Sequence, residues 1–255
     1  MLKIAKYAVY DIIRSKIILS YAIFLFIISI SLFMLDEDAS RSLISIMSVV
    51  LIVVPLISII FSTIFLYNSY EFIELLVAQP VKRNHILLAD YLGVTVSLIM
   101  AFLVGVAIPV TIYATGPTGL YLVIVGIVLT LIFTSLAFLG AVMTRDKAKG
   151  IGIALLLWFF FSVIYDGLLI GFLFLFNDYP LEKPLLFITM LNPIDLGRIS
   201  VMMKMDISAL MGYTGAVYRD FLGNGMGMAV TLLLLTFWAA IPLIIAVRIF
   251  RRKNL

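Results

Sequence analysis

The chain has 255 residues, of which 64% are hydrophobic and 13% charged, and its mean hydropathy is +1.22. This composition leaves too little polar surface to cover a soluble domain of that size and indicates an integral membrane protein. The net charge is +4, and the absence of cysteine excludes disulfides, cysteine metal sites and thiol catalysis.

Five long segments with at most one charge each dominate the sequence. They are residues 17–35, 42–70, 91–144, 150–177 and 221–247. A membrane-spanning helix needs about 20 apolar residues, so residues 91–144 are too long for one helix. The turn-forming residues Gly116 and Pro117 divide that segment. The sequence therefore predicts six spanning helices in a single membrane domain, residues 1–255.

The distribution of basic residues predicts the orientation of these helices. Thirteen Lys and Arg residues flank one set of helix ends and five flank the other. Because basic residues concentrate on the cytoplasmic side, both termini are expected in the cytoplasm.

Residues 1–15 have the pattern of an amphipathic helix at the membrane surface. Lys3, Lys6, Tyr10 and Arg14 share one helical stripe beside an apolar one. A helix lying among the lipid headgroups explains this spacing. Ordinary cytoplasmic flanking charges explain the same residues, so both interpretations stay open.

The cytoplasmic connection between the second and third spans, residues 71–90, begins with a second amphipathic pattern. Glu71 and Glu74 fall on one helical face, and Leu75 and Leu76 fall on another. Pro80 then ends the pattern. The segment predicts a short helix suited to docking a cytosolic partner.

Seven residues of this connection fit the pattern Glu-x-x-x-Leu-Leu-x-x-Gln-Pro-Val-x-Arg, which resembles the coupling region of type-2 ABC exporter permeases. They are Glu71, Leu75, Leu76, Gln79, Pro80, Val81 and Arg83. The resemblance implies an all-α membrane protein of the ABC-2 (type V exporter) class in the bacterial inner membrane. It also implies pairing with a second copy of the chain and with two cytosolic ATPase subunits. The implied ATPase contact comprises Glu71, Glu74, Leu75, Leu76, Gln79, Pro80, Val81, Lys82 and Arg83.

Catalytic motifs are missing from the sequence. An ATPase needs a glycine-rich loop ending in Gly-Lys, and the chain has no Gly-Lys pair. His85 is the only histidine, which excludes a His-Glu-x-x-His zinc protease. We therefore expect a non-enzymatic subunit without a cofactor of its own, with ATP and Mg²⁺ bound by the partner ATPase. The basic residues lie at membrane ends, so nucleic-acid binding has no support.

Asp166 is the only ionisable residue deep within a predicted span. A carboxylate at mid-bilayer costs on the order of 3 kcal/mol, so the side chain should face other helices. A gate or substrate-path residue is one interpretation, and a structural hydrogen-bond partner is the other. Since no basic residue is expected at matching depth, both interpretations stay open.

The long connection between the fifth and sixth spans, residues 178–220, contains a helix start. Asn192 is a favourable cap, Pro193 a favourable first residue, and Asp195 an acid in the first turn. Arg198 is placed to pair with Asp195 along the same face. Ile199, Met202 and Met203 form an apolar stripe. We expect a short helix on the outer membrane face.

The sequence Leu-Asn-Pro-Ile-Asp at residues 191–195, followed by Arg198, resembles the permease of the ABC transporter that matures nitrous-oxide reductase. That subfamily has threonine where this chain has Ile194. The resemblance implies docking of a periplasmic accessory protein that handles copper or sulfur species. The implied contact comprises Asn192, Pro193, Asp195, Arg198, Met202, Met203, Met205 and Met211.

Methionines are concentrated around this segment, and thioethers are ligands for Cu(I). Methionine is also an adaptable packing residue, and no His or Cys lies nearby to complete a copper site. We favour packing or partner binding and predict no metal site. Two other functions remain open: an ABC-2 exporter of a lipid, drug or glycan, and a mechanical transmitter through which no substrate passes.

Overall fold

The computed structural model describes residues 9–10, 12–36, 38–77, 83–176, 182–205 and 225–252, which are almost entirely helical. Six of the helices are long and apolar enough to cross a membrane, which confirms the predicted number. They are α1 (Lys16–Leu35), α2 (Ala39–Asn68), α4 (Arg83–Tyr113), α5 (Pro117–Met143), α6 (Lys147–Leu175) and α9 (Gly225–Arg252). Three shorter helices are α3 (Tyr70–Val77), α7 (Glu182–Met190) and α8 (Pro193–Lys204).

Successive spans alternate in direction, which defines two ends of the bundle. The terminal end carries Lys16, Asn68, Met143 and Arg252, and the distal end carries Leu35, Ala39, Tyr113 and Pro117. Gly116 and Pro117 separate α4 from α5 as predicted, with Gly116 as the cap of α5. The cytoplasmic location of the terminal end stays a prediction. Most of the predicted surface helix at residues 1–15 lies outside the described residues.

The spans differ in how much of their surface the bundle covers. Helix α5 is the most buried of the six and packs chiefly on α2 and α9. Helices α1, α6 and α9 have the fewest buried residues of the six. The exposed side chains of α6 are largely apolar, including Leu156, Leu168 and Phe174. These surfaces suit contact with lipid or with another protein chain.

Two spans contain a π-helical turn, at Leu103–Ala107 in α4 and at Phe160–Ile164 in α6. Gly105 lies in the first turn, where α1 approaches closely. A Cβ atom at Gly105 would lie 2.6 Å from the Cβ of Leu25. The second turn changes the hydrogen bonding of α6 beside the candidate site, since π turns leave carbonyls without their helical donors.

Helix α8 does not lie on the outer membrane face, so that expectation is wrong. A Cβ atom at Gly197 would lie 3.0 Å from Val125 Cγ1. Val125 is eight residues into α5, about 12 Å from the distal end at 1.5 Å per residue. The sequence analysis weighed a single apolar stripe, whereas the buried apolar side chains lie on two opposite faces of the helix: Ile194 and Val201 on one, Leu196, Ile199 and Met203 on the other. A helix that buries two opposite faces packs between other helices, not on a surface.

Candidate functional site

Asn192 lies between α7 and α8 and is completely buried. Its Oδ1 accepts a hydrogen bond from the backbone N–H of Ile194 at 3.0 Å, which confirms the predicted helix cap. Its Nδ2 donates to the Phe161 carbonyl oxygen and to Asp195 Oδ2, both at 2.9 Å. One side chain therefore joins the start of α8 to the middle of α6.

The π-helical turn makes the Phe161 carbonyl available for this bond. In a regular α-helix that carbonyl accepts from the N–H of Tyr165, four residues later. Here the N–H of Tyr165 donates to Phe160 instead. A buried carbonyl without a partner is costly, and Asn192 supplies the missing donor.

Arg198 connects two carboxylates at this point. Its Nη1 lies 3.1 Å from Asp195 Oδ1, which confirms the predicted pair, and 3.2 Å from Asp166 Oδ2. The expectation that Asp166 has no basic partner is wrong, because the insertion of α8 brings Arg198 to its depth. The side chain of Asp195 is 6% exposed, whereas those of Asp166 and Arg198 are 34% and 35% exposed. The ion cluster is thus buried at Asp195 and accessible at Asp166 and Arg198.

Aromatic side chains hold the re-entrant segment, residues 182–205, against α6 and α9. The hydroxyl of Tyr165 donates to the Ile188 carbonyl, and Trp238 Nε1 donates to the Met190 carbonyl at 3.2 Å. These carbonyls lie in the last turn of α7, where the regular helical donors four residues later are absent, although the Ile188 carbonyl also accepts from the backbone N–H of Leu191. Phe161 packs edge-to-face on Trp238 with ring centroids 5.5 Å apart.

A second group of contacts anchors α3 at the terminal end. The Tyr70 hydroxyl, at the start of α3, donates to the Ala141 carbonyl of α5 at 3.2 Å. Burial, and to a smaller extent the nearby Tyr67, raises the pKa of Tyr70 to about 12, so the hydroxyl keeps its proton. Ile73 is fully buried, whereas Leu75 of the same helix is 67% exposed.

The end of α2 also contacts the beginning of α6. Lys147 Nζ donates to Asn68 Oδ1 at 2.7 Å. A Cβ atom at Gly150 would lie 2.2 Å from the Tyr67 hydroxyl oxygen, so only glycine accommodates this ring. The same hydroxyl bonds with the side chain of Thr144. The last turn of α2, directly before α3, is therefore packed against the first turn of α6.

The other predicted contact residues have the following positions. Arg83 begins α4. The side chains of Glu71, Glu74 and Leu76, and the whole of Gln79, Pro80, Val81, Lys82 and Met211, lie outside the described residues.

The predicted partner contacts on α8 are largely interior. Pro193 and Met203 are buried like Asn192 and Asp195, while Met202 and Met205 are partly buried against the core. Met203 packs with Leu185 and Ile199, as the packing interpretation requires. Arg198 is therefore more accessible to a partner protein than Asn192 or Asp195. Contact with these residues stays a prediction.

Asp90 is a buried polar residue that the sequence analysis did not select. It is 3% exposed, and its Oδ2 has no hydrogen-bond partner among the described residues. Asp90 lies two turns inside α4, seven residues after the first residue of that helix, Arg83. The sequence analysis assigned it to the cytoplasmic connection, residues 71–90, because the charge-free segment begins only at residue 91.

Comparison with known proteins agrees with this architecture. The sequence profile of the ABC-2 family transporter proteins matches residues 2–255. The chain belongs to the ABC-2 transporter family. This ABC-2 permease is similar to two proteins described as probable ABC transporter permease protein NosY. The one from Pseudomonas aeruginosa is 28% identical over 189 residues, covering 70% of this chain and 67% of the relative. The one from Stutzerimonas stutzeri is 24% identical over 273 residues, covering 98% and 97%.

Proposed function

We propose that this permease couples ATP hydrolysis by separate cytosolic ATPase subunits to a periplasmic accessory protein, during maturation of the copper site of nitrous-oxide reductase. The cargo in this proposal is a copper or sulfur species. Support comes from ABC-2 family membership, from the two relatives named NosY, and from the Leu-Asn-Pro-Ile-Asp sequence with Arg198.

The observation that carries the proposal is that α6 contacts both α8 and the end of α2, from which α3 continues. Lys147 and Gly150, in the first turn of α6, contact Asn68 and Tyr67 in the last turn of α2. Toward the distal end, Asp166 pairs with Arg198 of α8. We propose that α6 transmits a displacement of α3 to the re-entrant segment through these two contacts.

The exposed side of the ion cluster formed by Asp166, Asp195 and Arg198 supports assembly with a second copy of the chain. Asp166 is nine residues from the end of α6, about 14 Å along the helix. Charged side chains at that depth face protein or water rather than lipid, because exposure to hydrocarbon costs on the order of 3 kcal/mol. We propose that the second permease chain, or an aqueous space between the two chains, covers this face in the inner membrane.

The proposed contact between α3 and the ATPase can be tested by substitution. Leu75 is exposed on α3, and its replacement by Asp places a charge in the proposed ATPase interface. We expect the binding constant of the ATPase to weaken by about 30-fold or more, which corresponds to about 2 kcal/mol for a residue at the centre of an interface. Membrane insertion should be unchanged.

Leu35→Asp is the matched control, because Leu35 is 78% exposed but lies at the distal end. Co-purification and ATPase assays would be measured for both variants. Normal ATPase binding and hydrolysis in the Leu75→Asp variant would refute the coupling role of α3.

A further inference from the structure

A groove opens between α1 and α2 on the membrane-facing surface of the bundle. Its cavity volume is about 490 Å³, and its lining includes Lys16, Ile17, Ser20, Phe24, Val53 and Ile57. This volume lies within the range of about 300–1,000 Å³ that is typical of small-ligand sites. The groove is distinct from the ion cluster and from the proposed ATPase contact.

The chemistry of the groove changes along its length. Lys16 is the first residue of α1, at the terminal end, and Ser20 and Phe24 follow at intervals of four residues. Residues four apart lie on one face of a helix, one turn deeper each time. A cation, a hydroxyl and an aromatic ring therefore succeed one another from the membrane surface inward, over about 12 Å.

The opposite wall of the groove, on α2, is apolar. Ile57 and Val53 lie about 27 and 21 Å from the distal end of α2, close to the levels of Lys16 and Ser20, which lie about 29 and 23 Å from the distal end of α1. Ile17 and Phe24, at the edge of the groove, are about half exposed. An apolar cavity of this kind is poorly hydrated and suits a hydrocarbon chain.

The mouth of the groove is positively charged. Lys16 is exposed, and within the described part of the chain no carboxylate forms an ion pair with it. Arg14 lies two residues earlier, stacked 4.1 Å above the ring of Tyr10. Basic residues at this level attract anionic headgroups.

We propose that the groove binds one anionic phospholipid from the leaflet at the terminal end. Its phosphate lies at Lys16, its glycerol ester region lies at the level of Ser20, and one acyl chain runs between Phe24 and Val53. The order of charge, hydroxyl and apolar surface matches the order of groups in a phospholipid. The bound lipid fills the gap between α1 and α2 and stabilises their packing.

Native mass spectrometry of the purified full complex tests this site, with phosphatidylglycerol and phosphatidylcholine supplied in equal amounts. We expect the wild type to retain phosphatidylglycerol preferentially. Lys16→Glu should reduce this retention at least five-fold, and Lys16→Arg should restore it. Lys149→Glu is the matched control, because Lys149 is exposed at the same end on α6.

Val53→Trp fills the groove and should reduce retention of both lipids. Equal retention of the two lipids by the wild type, or full retention of phosphatidylglycerol by Lys16→Glu, would overturn the proposal. A single cysteine at Phe24 tests the competing occupant, since the chain has no cysteine of its own. A disulfide-linked pair of permease chains in native membranes would show that the second copy occupies the groove.

Discussion

The pairing of Asp166 with Arg198 gives the sharpest prediction about the distal end of the bundle. The Asp166→Asn substitution removes the charge but keeps an oxygen that can accept from Arg198 Nη1, 3.2 Å away. The Arg198→Gln substitution removes the cation. Combined in a double-mutant cycle, they isolate the free energy of this one contact.

The expected interaction free energy is about 1 kcal/mol. A hydrogen bond between charged groups contributes about 1.5–3 kcal/mol, whereas an exposed ion pair contributes about 0–1 kcal/mol. Both side chains are about one-third exposed, and Asp195, 3.1 Å from Arg198, is a second acceptor that the Asp166→Asn variant retains. These two features bring the expected interaction free energy close to that of an exposed ion pair. Asp166→Leu, which also removes the acceptor, should destabilise the protein by about 2 kcal/mol.

Reversible denaturation with SDS, in mixed micelles, measures the free energies of unfolding. The control cycle pairs Asp166→Asn with Lys204→Gln, since Lys204 lies in the last turn of the same helix, α8. We expect no interaction free energy in that cycle. A value below about 0.3 kcal/mol for the Asp166 and Arg198 cycle would contradict the contact.

The same variants separate the two roles considered for Asp166. In a purely structural role, Asp166→Asn keeps full ATPase stimulation by the periplasmic partner and loses only stability. Lost stimulation with an unchanged free energy of unfolding would instead identify a functional carboxylate.

Two further variants test the re-entrant segment. Asn192→Ala removes the donor of the Phe161 carbonyl and of Asp195 Oδ2, so we expect a loss of about 2–4 kcal/mol in the free energy of unfolding, and an unchanged value would refute the bridging role. Replacing Met202, Met203 and Met205 together by Leu keeps apolar volume and removes sulfur, so packing predicts normal maturation of the copper enzyme. Normal partner binding with failed maturation would instead support copper ligation.

Local sequence signals specified most of the secondary structure. The length and apolarity of the charge-free segments determined six spans, because each span depends only on its own residues. The break at Gly116 and Pro117 and the cap at Asn192 were predictable for the same reason. Backbone groups at a turn or a helix start are satisfied by neighbours within three residues.

The placement of α8 could not be predicted in this way. The stripe of Ile199, Met202 and Met203 is compatible with a helix on the membrane surface, and only its neighbours reveal that the remaining faces are also buried. The π-helical turn at Phe160–Ile164 has no evident sequence signal, yet it frees the carbonyl that Asn192 binds.

The sequence by itself thus determined the membrane class, the number of spans, the helix start at Asn192 and the pairing of Asp195 with Arg198, three residues apart. Only the tertiary structure supplied a partner for Asp166, because Arg198 is 32 residues away and reaches it through the insertion of α8 among the spans. Hydropathy and capping depend on residues within one helix, whereas the depth of this ion pair is decided by which helices pack together.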